Sequence, residues 1–363
     1  MVGQLEHVTI ARDEDQYLSF PDVVLAADGR LVLIYREADA HVATRSRLVL
    51  LDSFDGGHNW VNRRYLDRPM SLARDGAVWN CPRIVRQSDD GLTVVCDLAV
   101  VPADTPPPVP EDLWKFRTYF WRSFDNGQTW GMRRSTRIQG MVPDRLLELS
   151  NDTYLIASHY HSLRHFDTTT QIVTFTRDAG ETWTNTALVA EVAGLQFCEG
   201  SVARCPAGQL VCYMRENSMR NVPTHKSFSL DGGLHWSMPE PCRFVGHRPV
   251  AGLLSSGKML VTYRDVRLAN RAVGSLVGAN TATMAWLGNP LDESTGRVLT
   301  LEADSSGVFS DYGYSGWVEL KGGRVFCAYH HRGEAEKSYI RGVWFGESDF
   351  TAEPPLPMGR LYY

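Results

Sequence analysis

Charged and polar side chains that could act in catalysis or binding recur at two fixed distances from six tight turns in the sequence. The turns centre on Asp28–Gly29, Asp90–Gly91, Asn151–Asp152, Ala207–Gly208, Ser256–Gly257 and Gly322–Gly323. Nine residues before each turn glycine or its equivalent stand Phe20, Pro82, Pro143, Glu199, Arg248 and Tyr314. Seven residues after it stand Arg36, Leu98, His159, Arg215, Arg264 and His330, with Asp97 one step before Leu98. Carboxylate, phenol, imidazole and guanidinium groups gathered in one place could transfer protons and bind an anion.

Two strand-like runs rich in Val, Leu and Tyr flank each turn, which predicts six β-hairpins. A hairpin returns to its origin, so both sets of polar positions should lie at the same edge. Six units at this interval indicate a radial repeat. We therefore predict an all-β fold, a six-bladed β-propeller of four-stranded antiparallel blades, as a single domain over residues 1–363. The polar positions would ring one mouth of its axis.

A second motif, Ser/Thr-x-Asp-x-Gly-x-x-Trp, occurs at residues 53–60, 123–130, 176–183 and 229–236. Its Asp can accept hydrogen bonds from its own turn, its Gly tolerates a positive φ, and its Trp can cover the hairpin. These are Asp-boxes, and the chain resembles the sialidase superfamily of six-bladed propellers. In that family the Asp-boxes lie away from the active site, so they indicate fold rather than chemistry. Units five and six lack a recognisable box, and the turn at residues 288–290 is typical of an outer hairpin that has drifted.

Closure of the ring should involve both ends of the chain. The last unit predicts strands at residues 314–320, 324–330 and 338–344, and the alternating run at residues 6–11 is predicted to supply its fourth strand. Such pairing would remove an open sheet edge. The Pro-rich segment 101–110 cannot be a central strand and is predicted to be a loop, either a rigid surface excursion or a lid over the mouth.

The resemblance implies catalytic roles. In sialidases a Tyr of the sixth blade attacks the anomeric carbon and a Glu of the fourth blade takes its proton. Residues 199–202 and 314–317 look like the strands that carry them, with Glu199 and Tyr314 in the two places. A phenol with a pKa near 10 is a poor nucleophile at pH 7 unless a base activates it. An uncharged nucleophile also avoids repulsion from an anionic sugar.

The general acid of the family is an Asp in the loop after the second strand of blade one. That loop corresponds to residues 35–41, and Asp39 is the matching candidate, with Glu37 and His41 as alternatives. A general acid must stay protonated near neutral pH, which requires burial or a nearby anion.

The family also holds its substrate carboxylate with three arginines, because planar guanidinium groups grip a carboxylate bidentately. Arg215 matches the second of these. The first has no counterpart, since Phe20 stands in the corresponding stretch. Arg36, Arg248 and Arg264, at predicted mouth positions, could rebuild the cluster. The third family arginine has no clean match, and Arg267 and Arg271 are loose candidates for it. The predicted substrate-binding set also includes His41, His159 and His330. No tight ligand spacing predicts a metal site, and no cofactor is expected.

The predicted function is therefore an exo-acting glycoside hydrolase with a retaining, sialidase-like mechanism. Its substrate would end in an acidic sugar, such as sialic acid, another nonulosonic acid or a uronic acid. Two alternatives stay open: a polysaccharide lyase acting on uronic-acid-containing glycans, favoured by the histidines, and a non-catalytic carbohydrate-binding propeller. The register shared by Glu199 and Tyr314 favours catalysis over binding alone.

Composition excludes other classes of partner. A net charge of −5 argues against nucleic acid. No apolar run approaches the length of a membrane span, and the first residues lack the pattern of a secretory signal. The seven cysteines are odd in number and have no paired spacing. Reduced thiols and a cytoplasmic location are therefore expected.

Overall fold

Six antiparallel sheets are arranged as the blades of a propeller, which confirms the architecture predicted from the turns. The computed structural model describes residues 5–102, 105, 108–109, 113–162, 164, 167–218, 220–266, 281–304, 313–333 and 335–354. Strand β1 (Glu6–Ala11) belongs to the last blade. The first strands of blades one and two, one and six, four and five, and five and six contact one another, as expected for strands that line the axis.

The strands of the first three blades follow one another along the chain. Blade one contains β2 (Tyr17–Leu25), β3 (Leu31–Ala38), β4 (Arg45–Ser53) and β5 (Val61–Tyr65), with β6 (Met70–Ser71) also paired to β4. After the short helix α1 (Leu72–Asp75), blade two contains β7 (Ala77–Arg86), β8 (Leu92–Val100), β9 (Lys115–Ser123) and β10 (Arg134–Gln139). Blade three contains β11 (Leu147–Ser150), β12 (Thr153–His161), β13 (Thr169–Thr176) and β14 (Asn185–Ala190).

The remaining three blades complete the ring. Blade four contains β15 (Phe197–Arg204), β16 (Leu210–Glu216), β17 (His225–Ser229) and β18 (Glu240–Pro241). Blade five contains β19 (Gly246–Leu253), β20 (Met259–Asp265), β21 (Thr281–Asn289) and β22 (Asp292–Asp304). Blade six contains β23 (Ser315–Glu319), β24 (Val325–His331), β25 (Tyr339–Phe345) and β1, and a 3-10 turn follows at Glu347–Asp349.

The hydrophobic core lies between the faces of neighbouring blades. One cluster joins Val32 and Ile34 of blade one to Trp79, Val94 and Trp121 of blade two. Strand β3 is buried along its whole length. A strand covered on both faces has no solvent-facing side, so residues 31–35 read as a continuous run of Leu, Val, Ile and Tyr before the charged Arg36 and Glu37.

The Asp-boxes stabilise the outer hairpins as predicted. In the first, Asp55 Oδ1 accepts the N–H groups of His58 and Asn59 at 3.0 and 2.9 Å, and Trp60 Nε1 donates to the Gly57 carbonyl at 2.8 Å. The hydrogen bond from Asn59 is the main reason that the pKa of Asp55 falls to about 2. A Cβ on Gly57, whose φ is 106°, would lie 2.7 Å from the Phe326 ring of blade six. The box therefore also allows close contact between adjacent blades.

The N-terminal strand closes the ring as predicted. Strand β1 pairs antiparallel with β25, with Glu6 opposite Trp344 and Val8 opposite Gly342. His7 Nδ1 lies 3.0 Å from the hydroxyl of Tyr329. The inner strand of the same blade begins at Ser315 rather than at Tyr314, because Tyr314 lies in a bulge described below.

Some expectations fall on parts of the chain that the structure does not describe. Arg267 and Arg271 lie outside the described residues, as do several positions of segment 101–110. All seven cysteines are described, and they are buried free thiols. Within the described ranges, no helix is long and apolar enough to cross a bilayer.

Candidate active site

Each inner hairpin carries a bulge at the mouth of the axis. In blade one, Ser19 pairs with Arg36 but Asp22 pairs with Ile34, so Phe20 and Pro21 lie opposite the single residue Tyr35. The same register shift occurs in blades two, four and five. A bulge bends the strand and redirects the side chain of its extra residue. The six residues at these places are Phe20, Cys81, Val142, Glu199, Arg248 and Tyr314.

Four of the bulged residues adopt a left-handed backbone without being glycine. Their φ angles are 56° for Phe20, 51° for Val142, 50° for Glu199 and 52° for Arg248. Such a conformation costs about 1–3 kcal/mol and persists only where the surrounding structure fixes it. Its repetition at equivalent places around one axis marks the mouth as the candidate site.

The structure corrects the expected register in two blades. In blade two the residue equivalent to Gly29 is Asp90, with φ 61° and its N–H donated to the Gln87 carbonyl. The mouth positions are therefore Cys81 and Asp97, and the expectation of Pro82 and Leu98 was wrong.

The bulge of blade three is likewise shifted, to Val142 from the expected Pro143. In blade two the shift follows from the left-handed turn residue, which is Asp90, whereas in blade three it follows from the left-handed backbone of Val142. The ring of proline fixes φ near −65°, so proline cannot occupy a left-handed bulge and follows it instead.

Tyr314 and Glu199 meet at the mouth. The phenol donates to Glu199 Oε1 at 2.8 Å and lies 3.0 Å from Oε2. Arg215 Nη1 donates both to Glu199 Oε2 at 2.8 Å and to the phenol oxygen at 2.6 Å, while its other terminal nitrogen binds Asn217 Oδ1. A base and a cation from two strands of blade four and a phenol that precedes β23 thus form one hydrogen-bonded group.

The electrostatics of this group favour an ionised glutamate. Burial would by itself raise the pKa of Glu199, but the charges of Arg215 and Arg248, with the hydrogen bonds from Arg215 and Tyr314, lower it to about 2. The carboxylate in turn holds the pKa of Arg215 well above its usual range despite burial. Glu199 is therefore able to accept a proton at neutral pH, and Arg215 remains charged.

His159 contacts Glu199 through the backbone. The Glu199 N–H donates to His159 Nδ1 at 3.1 Å, and burial lowers the pKa of His159 to about 3. The ring is thus neutral at physiological pH, with its proton on Nε2.

The rings of Phe20 and His330 pack against Tyr314 and form what we call the aromatic wall. The Phe20 ring centroid lies 5.5 Å from that of Tyr314 and 5.4 Å from that of His330. Arg264 stacks over the Tyr314 ring at 4.6 Å, and Arg36 over the Phe20 ring at 4.5 Å. The structure therefore brings Arg36, Arg264 and His330 to the mouth by way of the two rings.

Arg248 is the most deeply buried of the predicted cations, with 1 % of its surface exposed. Its Nη2 donates to the Pro143 carbonyl at 3.0 Å. Within the described part of the chain, Arg248 Nη1 and Arg215 Nε are buried without a hydrogen-bond partner. These two guanidinium N–H groups could therefore donate hydrogen bonds to a ligand at the mouth.

The three candidates for a general acid differ in their surroundings. Glu37 is buried in ion pairs with Arg47 and Arg63, away from the aromatic wall. Asp39 accepts the N–H groups of Thr44 and Arg45 and the Thr44 hydroxyl; these bonds outweigh burial and lower the pKa of Asp39. A lowered pKa is the opposite of what a general acid requires.

His41 is exposed at the rim, with its ring edge-on to Phe20 at 6.0 Å. The Arg36 Nη2 group donates to the His41 carbonyl at 2.9 Å. Of the three candidates, His41 is the one that contacts the wall beside Tyr314.

Asp97 was not among the predicted site residues. It is fully buried and accepts hydrogen bonds from Asn80 Nδ2 and from the N–H groups of Cys81 and Val142, each at 2.9 Å. Burial raises the pKa of Asp97 against these bonds. The carboxylate joins two neighbouring bulges, and the left-handed Asp90 was the signal that could have located it.

No group of three or more His, Cys, Asp or Glu side chains within the described ranges could hold a metal ion.

Comparisons with known proteins agree with this architecture. The model of the BNR repeat-like domain family matches residues 105–327. No curated protein matches the chain. A protein of unknown function from Dyadobacter fermentans superposes with a TM-score of 0.76 at 22 % identity, covering 93 % of this chain and 97 % of its own.

Two solved enzymes share the fold at lower identity. The intramolecular trans-sialidase from Ruminococcus gnavus, solved with oseltamivir carboxylate, gives a TM-score of 0.67 at 12 % identity and covers 94 % of this chain and 96 % of its own. The α-L-arabinanase from Penicillium chrysogenum, solved with arabinobiose, gives a TM-score of 0.64 at 12 % identity. The match covers 96 % of this chain and 99 % of the arabinanase chain. At these identities the similarity establishes the fold alone.

Proposed function

The chain belongs to the BNR repeat-like domain family, and we propose that it is a glycoside hydrolase that releases a terminal acidic sugar through a tyrosine nucleophile. The observation that carries the proposal is the contact of the Tyr314 hydroxyl with both Glu199 oxygens and with Arg215. The solved sialidase and arabinanase of the same fold support a glycosidase as the general class.

The chemistry begins with proton transfer. As the Tyr314 oxygen forms a bond to the anomeric carbon, its proton passes to Glu199, which is ionised and in contact. The bond between the anomeric carbon and the leaving oxygen breaks, and that oxygen takes a proton from a general acid. In the second step water replaces the phenol on the sugar: the water gives a proton to the deprotonated general acid, and Glu199 returns its proton to the Tyr314 oxygen. Two displacements at one carbon give overall retention.

An acidic sugar suits the charge at the mouth. The guanidinium groups of Arg36, Arg248 and Arg264 are buried there and the side chain of Arg215 is 12 % exposed, whereas the carboxylates hydrogen-bonded at the described bulges are those of Glu199 and Asp97. A substrate carboxylate would offset the excess positive charge and accept the unused N–H groups of Arg215 and Arg248. This arrangement favours an anionic sugar over a neutral one.

The proton donor is assigned to the loop that follows β3. Asp39 matches the family position, but its lowered pKa favours His41, which lies at the rim beside the aromatic wall. His41→Ala should slow cleavage of an alkyl glycoside far more than that of a 4-nitrophenyl glycoside, because a good leaving group needs no proton. The same selectivity in Asp39→Asn instead would assign the role to Asp39.

The central test is Tyr314→Phe, measured on a panel of acidic and neutral aryl glycosides and acidic oligosaccharides. Turnover on the best substrate should fall by about 10³-fold or more, because the nucleophile is lost. Tyr329→Phe is the matched control, since Tyr329 is also a buried phenol that donates to a glutamate, Glu302, at 2.8 Å. Unchanged turnover in Tyr314→Phe would refute the nucleophile, and an unsaturated, ultraviolet-absorbing product would indicate a lyase.

A further inference from the structure

The bulge in blade four leaves two consecutive backbone N–H groups outside the strand ladder. The Glu199 N–H donates to His159 Nδ1 at 3.1 Å, and the Gly200 N–H donates to Gln171 Oε1 at 3.0 Å. Both acceptors are side chains of blade three, not backbone carbonyls of the same sheet. Buried N–H groups need acceptors, so these two side chains make the bulge possible.

Both acceptors are themselves fixed. Gln171 is fully buried and donates from Nε2 to the Ser158 carbonyl at 2.8 Å. A Cβ on Gly200 would lie 2.6 Å from Gln171 Cδ, so the glycine allows the amide to approach this closely. The backbone carbonyl of His159 accepts the Met141 N–H at 3.0 Å, which ties the main chain of His159 to the bulge of blade three.

The backbone conformation of Glu199 decides where its carboxylate lies. With φ at 50° the side chain leaves the strand toward the axis and meets Tyr314. An extended backbone would follow the ladder and carry the carboxylate elsewhere. Displacement of a reacting group by about 1 Å can cost about 10²-fold in rate.

We propose that His159 and Gln171 form a clamp that positions the catalytic base. They hold the N–H groups of Glu199 and Gly200 and so keep the Glu199 carboxylate against Tyr314. The clamp rests on the proposed function, because it matters for rate only if Glu199 acts on Tyr314. His159 is a positioning residue in this role, and its neutral ring presents Nδ1 as an acceptor throughout the physiological pH range.

The test compares two substitutions at the same position. His159→Leu keeps the bulk but removes the acceptor, whereas His159→Asn retains an oxygen close to the place of Nδ1. The leucine variant should lose about 10²-fold in kcat with little change in KM, and the asparagine variant should recover most of the loss. Gln171→Met should lower kcat in the same direction.

Ser201→Ala is the matched control. Ser201 Oγ accepts the Ala251 N–H of the next blade at 3.0 Å, so the variant also loses one hydrogen bond between blades. It should lower Tm without lowering kcat. An equal fall in kcat in Ser201→Ala and His159→Leu would overturn the clamp, since any loosening between blades would then suffice.

The outcomes separate the clamp from the proposed function. Wild-type kcat in His159→Leu, beside an inactive Tyr314→Phe, would overturn the clamp and leave the function standing. If the unaltered protein turns over nothing on the panel, the crystal structure of His159→Leu decides. A Glu199 carboxylate moved out of hydrogen-bond distance of the Tyr314 hydroxyl supports the clamp, and an unchanged contact overturns it.

Discussion

At the scale of single residues, Arg215 has two tasks that the sequence could not separate. A guanidinium after the fourth-blade glutamate suggests a grip on the substrate carboxylate. In the structure the same group donates to Glu199 and to the Tyr314 oxygen. A cation on the phenol oxygen stabilises the negative charge that develops as the proton leaves.

Arg215→Lys should therefore lower kcat as well as raise KM. A lysine keeps the charge but cannot bridge both oxygens and Asn217 in one plane, so kcat should fall by about 10²-fold. Steady-state kinetics on the best substrate from the panel check this. A variant with raised KM and wild-type kcat would limit Arg215 to substrate binding.

Acid should destabilise the folded protein through His159. Its pKa is about 3 in the folded chain against 6.5 ordinarily. Between these values the unfolded chain binds a proton that the folded chain does not, so the free energy of unfolding falls as pH falls. Protonation of Glu199 also lowers the free energy of unfolding, but only below its ordinary pKa of 4.5. The window from pH 6.5 to 4.5 therefore separates the two groups.

His159→Asn should reduce the pH dependence of stability in that window. The difference from the unaltered protein should be on the order of 2 kcal/mol between pH 6.5 and 4.5, measured by urea unfolding. His7 and His225, whose pKa values burial also lowers, contribute equally to both proteins and cancel. Identical slopes for the two proteins would show that His159 does not titrate this way.

At the scale of elements, the hairpins divide the work between their two ends. The Asp-box turns lie on the outer hairpins, where side chains satisfy the backbone N–H groups of the turn. The inner hairpins carry the bulges at the mouth, where backbone strain directs side chains to the axis. In blades one to four, the Asp-box and the candidate site thus occupy different hairpins of the blade.

Asp125→Ala should reduce stability without reducing turnover. Asp125 accepts the N–H groups of Gln128 and Thr129 and the hydroxyl groups of Ser123 and Thr129. Loss of these bonds should cost about 1–2 kcal/mol. Thermal melts and kcat/KM below the transition check both halves. A fall in kcat/KM in fully folded protein would connect the Asp-box to the site after all.

At the scale of the whole molecule, the site exists only when the ring is closed. Glu199 and Tyr314 come from blades four and six, and they meet because intervening blade five places both strands at one axis. Strand β1 completes blade six and pairs with β25. The position of Tyr314 relative to Glu199 therefore depends on the pairing of the first strand, β1, with the last strand, β25.

Removal of residues 1–11 should lower Tm strongly and expose the edge of β25. An unpaired edge is a template for association, so the truncated protein should also aggregate on heating. Thermal melts and light scattering measure the two effects. Removal of residues 1–4 alone is the control, and an equal Tm for the two truncations would argue against closure by β1.

The sequence alone determined the fold. Turn residues, Asp-boxes and apolar runs are local signals, and their sixfold recurrence left one radial arrangement. It also located Glu199, Tyr314 and Arg215, because a repeat gives equivalent residues equivalent places. Even the closing strand followed, since an unpaired edge in blade six required a partner.

Only the tertiary structure decided the details of the site. The bulges at Cys81 and Val142 were placed one residue late. In blade two the left-handed turn residue is Asp90 rather than Gly91, and in blade three proline cannot adopt the positive φ of the bulge. The contacts of His159 and Gln171 with the blade-four bulge join residues far apart in the chain. The sequence favoured Asp39 over His41 as the general acid, and only the hydrogen bonds of Asp39 and the contact of His41 with Phe20 argue for the reverse order. Local chemistry fixes which strands form, whereas pKa values and contacts across the axis depend on which side chains meet there.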